Sequence, residues 1–271
     1  MDFWRKKKQE VTEGESSALG EEEKAGSAKP RSRSTALAVR PIPEDALILI
    51  PMRNAVMFPG VITPISIGRA SSVAAASEAS RSDLKVGFLL QRDPQTNDIG
   101  PKDLYRVGTA GKIVRYAGSA GGANHLMVQG ERRFRVVEFL EGWPFLVASV
   151  TWVTEPRFIA GDAGSELEAR FMQLKEQVAE ALRLLPNVPE ELAEVVQAIE
   201  APGQLADMVA NLLDIRNEEK QDLLETFDLG ERLDKVLVFL AKRVEVMRLS
   251  KEIGDKTKKE FDERQREHVL R

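Results

Sequence analysis

Cysteine is absent from the 271 residues, so disulfides, thiolate metal sites, iron–sulfur clusters and cysteine nucleophiles are excluded. Histidine occurs only at His125 and His268, too far apart to suggest the usual His-rich zinc spacing. No protein metal site and no cofactor of this chain is expected. Aromatic residues are only 6% of the sequence, which points to an aliphatic core. No stretch approaches the roughly 18 apolar residues of a membrane span. The start, Met1-Asp-Phe-Trp-Arg-Lys-Lys-Lys, does not lead into the apolar run of a secretory signal. A cytoplasmic location without a membrane partner is the expectation.

What is present is 42% hydrophobic and 30% charged, enough for a sizeable core. The net charge of −4 hides a pattern. Residues 1–40 carry net +2, residues 41–230 net −9 and residues 231–271 net +3. An acidic body between basic ends argues against a nucleic-acid partner, which needs basic charge interleaved with stacking aromatics. Residues 1–45, rich in Glu, Ser, Gly, Ala, Lys and Arg, read as a flexible tail.

Beyond the tail the chain shows two periodicities. Residues 46–156 carry strand-like runs at Leu47–Ile50, Val61–Ile67, Val86–Gln91, Tyr105–Thr109, Lys112–Tyr116, Leu126–Gln129, Phe134–Leu140 and Phe145–Thr154, some continuously apolar and some alternating. One helix over Ser71–Ser80, opened by a Ser cap, interrupts them. Both faces of Phe145–Thr154 are apolar, so that strand belongs centrally. Pro64 marks an edge, and Gly108 and Gly111 mark a bulge or bend. Ala117–Asn124 reads as a hairpin tip. Many short strands with Gly-rich turns predict a small closed or half-closed barrel.

From Ser165 the period becomes helical. Residues 164–228 predict a bundle, with a capping box at Ser165/Glu168, Pro186 and Pro189 as breakers, and Pro202 opening a helix that presents Leu205, Met208, Val209 and Leu212 on one face. Asn217 is placed as a cap, and Asp228/Glu231 as the capping box of a last helix over 229–271. That helix carries heptad-like contacts at Leu233, Leu237, Leu240, Val244 and Met247, a gap at Lys251 and Gly254, and a return at Phe261. Gly254 is a plausible hinge. With no cap signal before Arg271, the chain is expected to be cut from a longer one. The fold class is α+β: a small barrel, then a helical bundle, then a long helix.

No catalytic residue emerges. Gly108-Thr-Ala-Gly111-Lys112 has the wrong spacing for a phosphate loop. Ser82-Asp-Leu-Lys85 matches a Ser-x-x-Lys pattern without its companion motifs. Arg132, Arg133 and Arg135 form a basic cluster read as one solvated strand face.

Leu49-Ile-Pro51-Met-Arg53-Asn54-Ala-Val-Met-Phe58-Pro59-Gly60, then Pro64-Ile-x-Ile-Gly68-Arg69, resembles the opening of the Lon protease N-terminal domain. Pro189-Glu-Glu, Leu205-Ala206-Asp207, Lys220-Gln221-x-Leu-Leu-Glu225, Glu231-Arg232-Leu233 and Gln265-Arg266-Glu267-x-x-Leu270 extend the resemblance over about 46–271. It implies a PUA-like barrel, a bundle and a long helix leading towards a hexameric AAA+ ring. It further implies an ATP-dependent serine endopeptidase that degrades misfolded and regulatory proteins. ATP, magnesium and the Ser–Lys dyad would belong to parts outside this chain.

The function expected is recognition of unfolded or degron-bearing proteins and assembly with the motor as a homo-oligomer. Met52, Met57, Phe58, Val61 and Ile62 are candidate substrate contacts, because flexible apolar loops suit varied substrates. Phe58 and Val61 can equally plug the barrel end. Leu240, Val244, Met247, Phe261 and Arg266 are candidate assembly residues. The alternatives are a stand-alone PUA-like module binding RNA or protein, and an adaptor of intact hexamers.

Overall fold

Alternating apolar residues build the first half. The computed structural model describes residues 41–118, 124–155, 164–185 and 190–269, with side chains described outside 164–165, 190–193 and 260–269. Residues 39–271 belong to one compact unit. The expected tail, the tip of the 117–124 hairpin, the Ser165 capping side chain and the Pro186/Pro189 breakers lie outside the described residues.

Six strands, β1 (Ala46–Met52), β2 (Ile62–Ile67), β3 (Val86–Leu90), β4 (Val107–Ala117), β5 (Asn124–Leu140) and β6 (Leu146–Trp152), pair in the order β2-β5-β4-β3-β1-β6. β1 and β3 are parallel and the other pairs antiparallel. β6 lies against β1 and also against the Phe134–Leu140 half of β5, so both of its edges are hydrogen-bonded. β2 pairs with β5 alone, and this edge tolerates Pro64, which has no N–H to donate.

Two long strands replace four expected short ones. Gly111 and Gly130 face each other across β4 and β5 and bend the ladder without ending it; the register shifts at Ala110/Gly111 and again at Ile113/Arg115. A Cβ at Gly130 would stand 2.3 Å from the Phe58 carbonyl oxygen, so only glycine admits the loop that crosses here. The loop is fastened by Gly60 N–H to the Gly130 carbonyl (2.9 Å) and Gly130 N–H to the Val61 carbonyl (2.9 Å). Thr109 Oγ1 donates to the Met57 carbonyl at 2.6 Å.

Between β2 and β3 lies α1 (Ala70–Arg81). Its N-cap is Arg69 and not the expected serine, and no side chain caps it. The second half is helical: α2 (Gly164–Leu184), α3 (Glu190–Ala198), α4 (Pro202–Leu212), α5 (Asn217–Glu225) and α6 (Leu229–Val269). Asp228 Oδ1 accepts the Glu231 N–H at 2.8 Å, the expected start of α6. The α5 cap falls one residue before Asn217: the Arg216 N–H donates to the Glu219 carboxylate at 2.9 Å. α6 runs 41 residues through Gly254 without a break, so no hinge forms there. Nothing lies within 4 Å of a Cβ built at Gly254. The helix carries the roughly 1 kcal/mol penalty of a mid-helix glycine.

Three apolar clusters hold the unit together. Ile48, Ile50, Met57, Phe88, Phe145 and Val147 pack with α1 on one face of the sheet. Leu47, Leu49, Leu89, Phe134, Ala148 and Val150 pack on another. The third joins α2–α6 to the sheet through Val56, Phe58, Leu90 and Val107. Alternation along β1 and β6 feeds the first two clusters, as strand geometry dictates.

Candidate functional site

The expected substrate loop is turned inward. Met57 and Phe58, adjacent in sequence, point to opposite sides: Met57 enters the α1-side core and Phe58 the helical core. Met52, Met57 and Phe58 are buried, Val61 is half-buried, and only Ile62 is open, at 56%. A side chain without exposed area offers no contact surface in this conformation. Phe58 packs in the helical core with no exposed area. The cause of this placement is the glycine-lined crossing at Gly130, which draws residues 56–61 between the sheet and the helices.

The expected assembly helix is likewise partly occupied. Leu240 and Val244 are buried in the helical core and Met247 is half-buried. Phe261 and Arg266 lie on α6 with side chains outside the described residues. Among the described residues, the large open apolar side chains of α6 are Val238, Val246, Leu249 and Ile253, each more than half exposed.

The arginine cluster on β5 divides. Arg132 stays exposed over the Trp152 ring (5.3 Å) and Arg135 over Phe227 (5.1 Å). Arg133 is buried, because α4–α6 cover its side of the strand, which the sequence reading leaves to solvent. Its Nη1 and Nη2 bind Asp207 at 2.8 and 2.5 Å, and Nη1 also meets Glu155 at 2.6 Å. Its Nε donates to the Leu224 carbonyl at 3.1 Å. Arg232, also buried, binds Glu155 Oε2 (3.1 Å), Asp207 Oδ1 (3.3 Å) and the Thr226 carbonyl (3.0 Å). Burial pushes the Asp207 carboxyl above its ordinary value, while Arg133 and then Arg232 pull it down. These four residues fasten the sheet to the bundle. Their polar groups are spent on one another and on backbone carbonyls, which leaves the cluster a structural clasp.

An open site lies elsewhere, between α2, α4 and α6. An apolar groove of about 210 Å³ is floored by Val178, Val209, Leu213 and Leu240. Met247 lines it, and the exposed Leu185 (45%) and Leu212 (75%) stand at its rim. Periodicity assigns Leu212 to the packed face of α4. The helix ends there, and the extended backbone at Leu213 (φ −63°, ψ 135°) turns the next side chain into the core instead, leaving Leu212 outside. Asp214 and Arg243 complete the edge. Periodicity also marks Leu240 and Met247 as apolar helix positions. It has no means of showing that two other helices leave a cleft beside them. Among the described residues no group of acidic or histidine side chains could hold a metal ion, and no helix is long and apolar enough to cross a membrane.

The family model of the ATP-dependent protease La (LON) substrate-binding domain matches residues 46–242. A Lon protease of Methylocella silvestris is 43% identical over 247 residues, covering 91% of this chain and 30% of that protein. A Lon protease of Phenylobacterium zucineum is 45% identical over 238 residues, covering 88% and 29%. The solved N-terminal domain of a Mycobacterium avium complex Lon protease is similar with a TM-score of 0.58 and 26% identity, covering 72% of this chain and 98% of that one. The chain thus spans about 30% of the length of these curated relatives.

Proposed function

The chain belongs to the ATP-dependent protease La (LON) substrate-binding domain family, and from that premise we propose that it captures unfolded polypeptide for an ATP-dependent, Lon-type serine endopeptidase. The carrying observation is the apolar groove between α2, α4 and α6 with two exposed leucines at its rim. Unfolded chains display apolar side chains that folded proteins hide. A concave apolar cleft accepts one such side chain at a time, and the flexible thioether of Met247 adapts to its shape. Degron-bearing substrates enter by the same contact.

The sheet is read as the PUA-like barrel of the family: pairing runs β5-β4-β3-β1-β6 and returns to β5. It serves as the scaffold and α6 as the link to a hexameric motor that supplies ATP hydrolysis and peptide cleavage. The basic charge of 231–271 and the exposed Val246, Leu249 and Ile253 favour an α6 that meets other subunits. The adaptor role would use the same surfaces.

Leu212→Asp tests the capture site. Removing one buried leucine contact, worth about 1.5–3 kcal/mol, weakens binding of a permanently unfolded reporter protein by about tenfold or more. The melting temperature stays close to that of the parent chain, because Leu212 is exposed before binding. Unchanged reporter affinity with an intact fold moves substrate capture away from this groove.

A further inference from the structure

A second cavity, of about 620 Å³, lies between the end of β1, β2 and the first turn of α1. Residues 51–55 and 64–69 meet at its walls. Its polar lining includes Arg53, Asn54, Ser66, Arg69 and Ser72. Neither Leu185 nor Leu212 takes part, so this cavity stands or falls independently of the capture groove.

Among the described residues both arginines have neutral partners. Arg53 Nη2 donates to Asn97 Oδ1 and Arg69 Nη2 to Gln91 Oε1, each at 2.7 Å. Among the described residues Arg53 and Arg69 form no ion pair, a condition shared with exposed arginines such as Arg106 and Arg132; what sets this pair apart is that both line one cavity. Arg69 Nε is buried without a hydrogen-bond acceptor. Burial lowers the proton affinity of the Arg69 guanidinium, and the positive charge of Arg53 lowers it further.

Arg69 is also held in place. Gln91 is 2% exposed, and its Nε2 donates to the Asp93 and Thr96 carbonyls at 2.6 Å each. Both amide hydrogens are thereby used, and Oε1 is fixed towards Arg69. Two like charges in one partly desolvated cavity, one of them with an orphan donor, cost free energy that a counter-anion removes. A guanidinium fork matches an oxyanion in plane.

We propose that this cavity is a binding site for a phosphate-class oxyanion, with Arg53 and Arg69 as its ligating side chains. Two positive charges, one of them held in place by Gln91, balance a dianion. A carboxylate would leave one of them unmatched. Asn54, Ser66 and Ser72 add polar groups to the same lining. The ligand is phosphate itself or a phosphate monoester, which a small molecule or a phosphorylated polypeptide can carry.

Isothermal titration of the full 271-residue chain with inorganic phosphate, at constant ionic strength, tests the site. Saturable one-to-one binding is expected. Arg53→Gln should weaken it by about tenfold or more, the loss of one charge-assisted pair, while Arg132→Gln on β5 leaves it unchanged. Arg53 is exposed, so this variant keeps the fold, and circular dichroism verifies that. Arg69→Lys keeps the charge but loses the fork, and should bind less tightly than the parent chain. No saturable binding, or equal affinity in Arg53→Gln, overturns the proposal. A phosphoserine peptide and the same peptide with glutamate at that position complete the series. Tighter binding of the phosphopeptide than of phosphate assigns the site to phosphorylated chains, and equal binding assigns it to small phosphates. A glutamate peptide as tight as the phosphopeptide overturns the dianion assignment.

Discussion

Arg133 is the residue on which the two halves meet. From complete burial its guanidinium donates to Asp207, to Glu155 and to the Leu224 carbonyl, and Arg232 repeats the pattern from α6. Such a cluster is costly to break from one side. Asp207→Ala leaves two guanidinium groups buried beside one remaining carboxylate and should cost about 3–5 kcal/mol in urea unfolding. Phe58→Ala, which opens a cavity where a side chain has 0% exposure, should cost a similar amount of about 3–5 kcal/mol. A loss under about 1 kcal/mol would show that residues 56–61 collapse freely into the space. Of the arginine cluster, the sequence shows three cations close together. It does not show that the Arg133 side of β5 is roofed by α4–α6, because strand alternation assigns faces and not what covers them. Asp207 and Arg232 do stand within the motifs Leu205-Ala206-Asp207 and Glu231-Arg232-Leu233. Their pairing spans 25 residues and needs the fold to be seen.

Elements are more legible than their ends. The heptad positions Leu233, Leu237, Leu240 and Val244 are all buried, since periodicity reports directly on a packed helix face. Val244→Pro removes a backbone donor in the middle of that packed stretch and should cost about 3 kcal/mol or more, with loss of ellipticity at 222 nm. Cap positions slip by one or two residues, as at Arg69 and Arg216, where backbone geometry chose a residue with no side-chain preference for the role. The α5 cap yields a pH dependence. The Arg216 backbone N–H and then its side chain lower the Glu219 carboxyl below its ordinary 4.5. A folded value below the unfolded one stabilises fully above the unfolded value, and this is lost as pH falls through the folded one. Glu219→Gln should therefore flatten the acid side of the stability profile below about pH 4.5 and leave its upper side parallel to the parent's. Identical acid limbs in both proteins would remove Glu219 from the cap.

At the scale of the whole molecule, the order of a β half and an α half is legible because the hydrophobic period switches from 2 to 3.6 near residue 164. The sites are not legible in this way. The apolar groove lies between three helices, and the cationic cavity between the end of β1, β2 and the first turn of α1, and neither leaves a periodic trace. Composition points to apolar contacts where the chain has most Met and Phe near prolines, and the fold uses those residues to join its cores.

The ion cluster has a consequence for the order in which the chain takes shape. Arg133 is 74 residues ahead of Asp207 and 91 ahead of the Leu224 carbonyl. During synthesis the sheet emerges first, with a cation lacking Asp207 and with Phe58, Leu90 and Val107 awaiting the helices that cover them. A nascent chain ending near Thr154 should therefore be sticky and bind a hydrophobic dye. Completion of α4 to α6 should silence that signal in one step, making the bundle the intramolecular chaperone of the sheet that precedes it.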